Sequence, residues 1–539
     1  MPVIGLVLAV SAGLAWPLAF APTGWWWLAP LILVLIQQLV QAAPARVVRL
    51  GAAFGMALFV SGIHWLFISL HTYGAMPWPI AGGGVLLLSA YLALYPLAAV
   101  WLHAWIWRRW QPGPAVAAMS WASCWTVTEQ ARGWVFTGFP WLASTEIFPG
   151  SFVENALPWT GGTGLSWCVV AASACLIAHG IDYFRKTPRP GWRRDAPAAG
   201  CLAMIAAVLT VVSGVPLDTG VSSAGHVRVA IVQPNIAQEV KFDGAKIAEN
   251  VRQTYDLARQ AASRLQHGDW LMLPETAIPL LWHDAPVHWR DAFQGLAHEF
   301  NVWVVMGAAL DDHSRFTNSV IALDPADNRA PDIPPVRYDK RHLVPFGEFI
   351  PLGFRWFVDL MNMPLGDFNR GEGRARAFRL GAQYLLPNVC YEDVFGREFA
   401  ELVAASEPQP NVLVNVSNLA WFGKSRAMEQ HAQMSRTRAL ELGRPMIRAT
   451  NTGLSGVIGA EGQWLLRLST NEPEIGLVSV PVTRGLTFYA RHPDALWRAA
   501  LVLTACWLLL AVWLAKRRAR YNSTLAAIPP RPPADYHET

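Results

Sequence analysis

The segment LLPNVCYED, residues 385–393, combines a strand-like run with a cysteine at its end. The apolar half, LLPNV, is typical of a buried β-strand, and Cys390 follows where that strand would end. A side chain at the end of a strand, before a turn and a helix, can stand above the sheet and meet a substrate. Cys390 is the only cysteine in the block 218–493, so it has no disulfide partner there. The pattern predicts a nucleophilic thiol, with a buried structural cysteine as the alternative.

The block around Cys390 alternates short apolar runs with helical patterns. Such alternation is typical of an α/β or layered αβ domain. No glycine-rich phosphate loop follows any of the runs. The predicted strands are 226–232, 270–273, 302–306, 319–323, 384–389 and 412–416, and the predicted helices are 244–266, 286–300, 395–405 and 427–443.

The rest of the chain is far more apolar. Of the 539 residues, 53% are hydrophobic and 15% are charged, whereas a soluble domain carries about 25% charged residues. This composition excludes a disordered chain or a coiled coil and argues against a purely soluble enzyme. Apolar stretches of about 20 residues can cross a bilayer as helices. Eight such spans are predicted, at 3–22, 24–43, 50–71, 78–106, 114–131, 163–184, 198–217 and 494–515.

Basic residues indicate how these spans are oriented. Arginine and lysine concentrate in the short loops after the second, fourth and sixth spans and after the eighth. Because such residues mark the cytoplasmic side, both termini are predicted in the cytoplasm and 218–493 on the opposite side. The net charge of +5 is too weak to predict a nucleic-acid partner. The predicted domains are a seven-span domain (1–217), an extracytoplasmic domain (218–493), an eighth span (494–516) and a disordered tail (517–539).

A thiol with an ordinary pKa of about 8.5 needs a nearby base or cation to react at neutral pH. Glu275 follows the strand-like run LML, and Lys340 lies in YDKRHLVPFGE, residues 338–348. Only six of the 43 basic residues are lysines, so a lysine at a chemically apt position is less expected by chance. No cysteine or histidine cluster has metal-ligand spacing, so we expect no metal ion and no cofactor. A Cys–His arrangement is the alternative, with His283, His342 or His431 as the base.

Three segments occur in the order Glu, Lys, Cys: LPET at 273–276, YDKRHLVPFGE at 338–348 and NVCYE at 388–392. This ordered set resembles the carbon–nitrogen hydrolase (nitrilase) superfamily. The flanking spans narrow the resemblance to the apolipoprotein N-acyltransferase family of Gram-negative-type bacteria, and it covers almost the whole chain. Supporting segments are GFPW at 138–141, SNLAWFG at 417–423 and RALELGRP at 438–445.

The resemblance implies a multi-pass helical membrane domain joined to an αββα sandwich with a Glu–Lys–Cys triad. Glu275 would be the general base, Lys340 the electrostatic stabiliser and Cys390 the nucleophile. By further matches, Glu348 would be a second active-site glutamate, and Tyr391 and Glu392 would be the neighbours of the nucleophile. Trp421 and Phe422 would be an aromatic pair near the substrate pocket, and Phe242 stands at a loop position that is Trp in some members.

The implied reaction transfers an acyl chain from a phospholipid, phosphatidylethanolamine, through a cysteine thioester. The acceptor would be the α-amine of the N-terminal S-diacylglyceryl-cysteine of an apolipoprotein. The expected location of this monomeric enzyme is the bacterial inner membrane, with the catalytic domain in the periplasm. A membrane-tethered amidase or nitrilase, with water as the acceptor, is the alternative, because both reactions pass through the same thioester.

One further segment is unusually apolar for a loop. FRWFVDLMNMPL, residues 354–365, lies between Lys340 and Cys390 and contains Trp356. We expect it to form an arm that dips into lipid near the site, with a core helix as the alternative.

Overall fold

The structure of the chain is a computed structural model that describes residues 2–184, 196–214, 218–312, 315–332, 334, 336–351, 353, 355, 367–373 and 376–526. Trp356, most of the predicted arm and the basic loop 185–194 lie outside the described residues.

The N-terminal part of the chain is helical, as predicted. A helix lies at each position where the sequence predicts a membrane span. By length and hydropathy, five of the described helical stretches are sufficient to cross a membrane, and two further apolar helices near the N-terminus are shorter. The helical, apolar region is therefore confirmed, whereas eight crossings remain a prediction. Its helices are α1 (Pro2–Ala15), α2 (Leu28–Ala42), α3 (Val47–Ile63), α4 (Trp78–Trp110), α5 (Pro114–Arg132), α6 (Leu157–Phe184) and α7 (Ala196–Gly214).

Helix α5 is more polar than its neighbours because it lies inside the bundle. Most of its residues are buried, including Glu129 and Arg132. The Ser144 backbone N–H and hydroxyl donate to the Glu129 carboxylate at 2.8 and 2.6 Å. Arg132 donates to the backbone oxygens of Phe139 and Trp141 at 2.8 and 2.6 Å. Since protein groups satisfy these side chains, α5 needs no continuous apolar surface.

The block 218–493 contains two mixed six-stranded sheets. The first has the order β12-β1-β2-β3-β4-β5, and the second has the order β11-β10-β9-β8-β7-β6. The strands are β1 (Val221–Gln233), β2 (Trp270–Met272), β3 (Trp303–Asp312), β4 (Arg315–Leu323), β5 (Arg337–Asp339), β6 (Phe378–Leu380), β7 (Gln383–Val389), β8 (Val412–Ser417), β9 (Met446–Thr450), β10 (Gly456–Ile458), β11 (Trp464–Arg467) and β12 (Glu474–Gly485).

Helices cover both outer faces of the paired sheets. Residues such as Ile231, Met272, Val389 and Val416 form the apolar layer between the sheets. Helices α9 and α10 pack on the first sheet, and α11 and α12 pack on the second, so the predicted two-sheet αββα architecture is confirmed. The helices of this part are α8 (Gln238–Lys241), α9 (Ile247–Ala262), α10 (Val287–Phe300), α11 (Gly396–Ala405), α12 (Ala427–Leu442) and α13 (Phe488–Arg491), followed by α14 (Ala495–Ala526).

The last helix corrects the prediction for the C-terminal tail. Helix α14 continues to Ala526, so residues 517–526 are helical rather than disordered. Hydropathy marks where an apolar segment ends, but backbone hydrogen bonding continues through polar helix formers until a breaker intervenes. The first proline after the span is Pro529. The remainder of the tail lies outside the described residues.

Candidate active site

The ends of three strands place the predicted triad. Glu275 follows β2, Lys340 follows β5 and Cys390 follows β7. Both Glu275 and Lys340 act electrostatically on the Cys390 thiol, so the two sheets bring the three side chains into one site. Glu275 and Lys340 are buried, whereas Cys390 is partly exposed.

Lys340 is held by a second carboxylate, that of Glu348. The Lys340 ammonium lies 2.8 Å from both Glu348 carboxylate oxygens. The Val344 backbone N–H donates to Glu348 at 2.8 Å, which fixes the loop between them. The Asn318 amide on β4 donates to both Glu275 and Glu348 at 2.7 Å and so bridges the two carboxylates. Sequence reasoning missed Asn318, because no motif marks an amide in the middle of a strand.

Three other groups position Glu275. The Asn418 backbone N–H donates to the Glu275 carboxylate at 2.7 Å. The Lys241 ammonium donates to the Glu275 backbone oxygen at 3.0 Å. A Cβ on Gly307 of β3 would lie 2.5 Å from the Glu275 Cα, so this close approach requires glycine. Lys241 was also missed, although the scarcity of lysine was the signal that could have identified it.

The carboxylates and the lysine of the site shift the pKa of the Cys390 thiol in opposite directions. Although Cys390 is partly exposed, desolvation of its thiol by the surrounding protein raises the pKa, Glu275 raises it further and Lys340 lowers it, so the thiol stays protonated at neutral pH. Burial also raises the pKa of Glu275, against the opposing charge of Lys340. Burial would lower the pKa of Lys340, but Glu348 and Glu275 outweigh it, and the net pKa is raised. The site therefore combines a neutral thiol with a carboxyl group of raised pKa and a lysine that stays cationic at neutral pH.

Glu392 joins the two sheets beside Cys390. Its carboxylate accepts hydrogen bonds from the Tyr338 hydroxyl at 2.9 Å, the Arg341 backbone N–H at 2.7 Å and the Val389 backbone N–H at 2.8 Å. It thereby ties the Lys340 loop to the end of β7. Tyr391 instead faces the helical domain, where its hydroxyl donates to the Gly138 backbone oxygen at 3.2 Å.

The predicted pocket aromatics lie against the helical domain or at the side of the site. The Phe422 and Trp65 ring centroids are 4.5 Å apart. The Ser69 hydroxyl donates to the Trp421 backbone oxygen at 2.7 Å. Phe242 lies beside Lys241, whose ammonium is 6.0 Å from the centre of the ring.

The histidine alternatives have other partners. His342 lies 3.0 Å from Glu398 and 2.8 Å from the Thr137 backbone oxygen, and His283 is exposed. His431 lies 3.0 Å from the Cys390 backbone oxygen. Among the described residues, no hydrogen bond joins an imidazole to the Cys390 sulfur, and the electrostatic influences on the thiol come from Glu275, Lys340, Glu348 and Asp393 rather than from a histidine.

Two family models match the chain. A model described as apolipoprotein N-acyltransferase N-terminal domain matches residues 12–175, and one described as carbon-nitrogen hydrolase matches residues 228–486. The second match and the two-sheet fold define residues 228–486 as a carbon–nitrogen hydrolase domain.

Similar proteins cover nearly the whole chain. An apolipoprotein N-acyltransferase of Ralstonia nicotianae is 39% identical over 518 residues, which are 95% of this chain and 94% of the relative. One of Bordetella bronchiseptica is 35% identical over 541 residues, covering 95% of this chain and 97% of the relative. The chain belongs to the apolipoprotein N-acyltransferase family, a group of acyltransferases within the carbon–nitrogen hydrolase superfamily. The resemblance inferred from the ordered motifs is confirmed, and the amidase alternative is not favoured.

Proposed function

We propose that this enzyme transfers an acyl chain from a phospholipid to the N-terminal amine of a diacylated apolipoprotein through a thioester on Cys390. The observation that carries the proposal is the buried Glu275–Lys340–Glu348 cluster at the thiol. Family membership supplies the reaction class, and the cluster supplies the base and the cation that the chemistry requires.

In the first half-reaction, Glu275 removes the proton of the Cys390 thiol. The sulfur attacks the ester carbonyl carbon, a C–S bond forms, and the C–O bond to glycerol breaks. Glu275 returns the proton to the departing lysophospholipid oxygen. The Lys340 ammonium and the Tyr391 backbone N–H stabilise the negative charge that develops on the carbonyl oxygen.

In the second half-reaction, the α-amine of the S-diacylglyceryl-cysteine attacks the thioester carbonyl. Glu275 accepts a proton from the amine, a C–N bond forms, and the C–S bond breaks. The Cys390 thiol then regains its proton from Glu275. Because an amide is more stable than a thioester, the acyl chain stays on the lipoprotein.

The remaining predicted residues support this chemistry. Glu348 holds the Lys340 ammonium, and Glu392 and Tyr391 fix the turn that carries the nucleophile. Trp421, Phe422, Phe242 and Trp356 are predicted to form the substrate pocket and the lipid-facing arm. Each of these four predictions is tested by replacing the residue with alanine and measuring KM for the phospholipid. An unchanged KM would show that the residue does not contribute to the substrate pocket.

A membrane setting suits these substrates, because both are anchored in lipid. Withdrawing an acyl chain from a bilayer costs about 0.8 kcal/mol per CH₂, or on the order of 10 kcal/mol for a chain of about 16 carbons. A site at the membrane surface avoids most of that cost. We place the enzyme in the inner membrane, with the catalytic domain in the periplasm and both termini in the cytoplasm. Phosphatidylethanolamine is the proposed donor, and a monomer is the proposed state, which native mass spectrometry tests.

The decisive experiment is the intact mass of the purified enzyme after incubation with phosphatidylethanolamine and no acceptor. The wild type and a Cys506→Ser control should gain one hydroxylamine-labile acyl group, and Cys390→Ser should gain none. A diacylated lipopeptide should then clear the adduct and appear as its N-acylated product. A folded wild type without an adduct contradicts the thioester, and rapid loss of the adduct to water alone contradicts acyl transfer.

A further inference from the structure

The backbone of Cys390 has an unusual conformation. Its φ angle is +49°, in the left-handed region that non-glycine residues adopt only at an energetic cost. Such a conformation persists when the surrounding groups fix it. The groups that hold the Cys390 peptide are therefore part of how the site is built.

Two buried side chains bind the Cys390 backbone oxygen. The Asn415 amide on β8 and the His431 Nε2 on α12 each lie 3.0 Å from it. Asn415 is fully buried, and His431 is 1% exposed. Because the two donors belong to different elements, β8 and α12, and share this one acceptor, they fix the orientation of the carbonyl.

The neighbours of His431 define its tautomer. Its Nδ1 lies 2.9 Å from an Arg448 guanidinium nitrogen, which can only donate a hydrogen bond. Nδ1 is therefore the acceptor, and the proton lies on Nε2. This N–H points at the Cys390 backbone oxygen, and an Asp393 carboxylate oxygen lies 3.1 Å from the same ring nitrogen.

The orientation of the Cys390 oxygen determines that of the next N–H. In a planar trans peptide the two groups point in opposite directions, and the Cys390–Tyr391 peptide is trans. A 3₁₀-helix begins at Cys390 and runs to Val394. Near the start of this turn the Tyr391 N–H has no helical acceptor, and no turn, loop or cap backbone group of the described residues accepts it either, so it is available to a ligand.

We propose that His431 and Asn415 are positioning residues that fix the Cys390–Tyr391 peptide and thereby aim the Tyr391 N–H at the carbonyl oxygen of the acyl group. This inference rests on the proposed function, because it requires Cys390 to be the acylated residue. Neither residue touches the substrate. Both act through the Cys390–Tyr391 peptide: they bind its C=O, and its N–H points in the opposite direction, toward the acyl group.

The experiment uses the full-length enzyme in detergent with phosphatidylethanolamine and measures the single-turnover rate of acylation. His431→Phe keeps an aromatic ring but removes the donor, whereas His431→Gln places an amide N–H near the position of Nε2. Loss of one oxyanion donor slows acyl transfer by about 10²–10³-fold. Misdirecting the donor should slow acylation by about 10- to 100-fold in His431→Phe, with KM unchanged. His431→Gln should recover most of the rate, and the exposed-site control His283→Phe should match the wild type.

A second readout separates positioning from general damage. Alkylation of Cys390 by iodoacetamide forms no oxyanion, so its rate should be nearly the same in His431→Phe as in the wild type. Equal losses of alkylation and acylation would overturn the inference, because the defect would then lie in the thiol or its base. If His431→Phe does not fold, Asn415→Ala should give the same split between the two rates.

The two proposals fail in different ways. A folded wild type that gains no acyl group overturns the proposed function and this inference with it. If the folded variants His431→Phe and Asn415→Ala are acylated as fast as the wild type, only the positioning role of His431 and Asn415 is overturned.

Discussion

At the scale of single residues, the acidity of Glu275 depends on two lysines. Lys340 is the lysine of the predicted triad, and Lys241 is buried beside the Glu275 backbone at 3.0 Å. Burial lowers the pKa of Lys241 to about 8, against the opposing charge of Glu275. Below that pH, Lys241 is cationic and lowers the pKa of Glu275.

Removing this charge should shift the pH profile of the enzyme. In the proposed mechanism Glu275 must be ionised to accept the thiol proton, so kcat/KM should fall as the pH drops through its pKa. In Lys241→Met that pKa rises further, and the acid limb of kcat/KM should move to higher pH by about one unit. The exposed Lys246 of the same segment provides the control Lys246→Met. Superimposable acid limbs for Lys241→Met and the wild type would show that Lys241 does not act on the base.

At the scale of elements, helix α12 connects the catalytic domain to the helical domain. Its buried Arg438 lies 2.9 Å from Glu146 of the helical domain and 2.9 Å from Glu441 of the same helix. The Gly162 backbone N–H donates to Glu441 at 2.7 Å. Burial raises the pKa of Glu441 to about 7, although Arg438 lowers it. One cation therefore compensates two buried carboxylates.

Arg438→Met should destabilise the protein by about 3–5 kcal/mol, because it leaves buried charge without a partner. The matched control is Arg467→Met. Arg467 on β11 forms a half-exposed ion pair at 2.7 Å with Glu429, which lies on α12 like Arg438. Breaking this pair should cost about 0–1 kcal/mol of stability. Denaturant titration in detergent micelles measures both differences. Similar losses of stability in the two variants would mean that Arg438 and its two buried carboxylates contribute no more to stability than a surface ion pair.

The defect in Arg438→Met should also depend on pH. Burial already raises the pKa of both carboxyl groups in the wild type, and without the guanidinium both rise further above the unfolded value of about 4.5. The folded state then binds more protons than the unfolded state, so stability falls as the pH rises from about 5 to 8. The loss of unfolding free energy in Arg438→Met, relative to the wild type, should therefore be smaller at pH 5 than at pH 8. A loss that does not depend on pH would exclude unpaired carboxylates as its cause.

At the scale of the whole molecule, the catalytic domain is seated on the helical domain near the nucleophile. Tyr391, which follows Cys390, binds the Gly138 backbone oxygen. The Trp141 indole donates to Gln430 of α12 at 2.8 Å, and the Ala21 backbone N–H donates to Gln433 at 2.7 Å. The contacts between the domains therefore include the turn that follows Cys390 and one side of helix α12.

The proposed orientation predicts which surfaces a membrane-impermeant maleimide can reach. A cysteine at the exposed Ser263 should be labelled in cells whose outer membrane is permeabilised. A cysteine at the exposed Arg46 should be labelled only after lysis. The unsubstituted chain gives the background of the native cysteines. The reverse pattern would place the catalytic domain in the cytoplasm.

Much of the architecture was determined by the sequence alone. Spans, strands such as β7 and β8, and helices such as α10 and α12 were predicted because their hydrophobic patterns are local and strong. Several short strands were not predicted, including β5 and β10, because three residues carry too little pattern. Strand β9 contains Arg448, a buried charge that no local rule assigns to a strand interior. The helical end of α14 was missed because hydropathy does not report helix length.

The ordered motifs also predicted three of the proposed site residues, Glu275, Lys340 and Cys390. Only the tertiary structure joined them to Asn318, Lys241, Asn415 and His431, which come from other strands and helices. The physical reason is that a motif records chemistry at neighbouring positions, whereas hydrogen bonds and buried charges act through space. The orientation of the Cys390 peptide depends on groups that only folding brings together, so the chain order could not specify it.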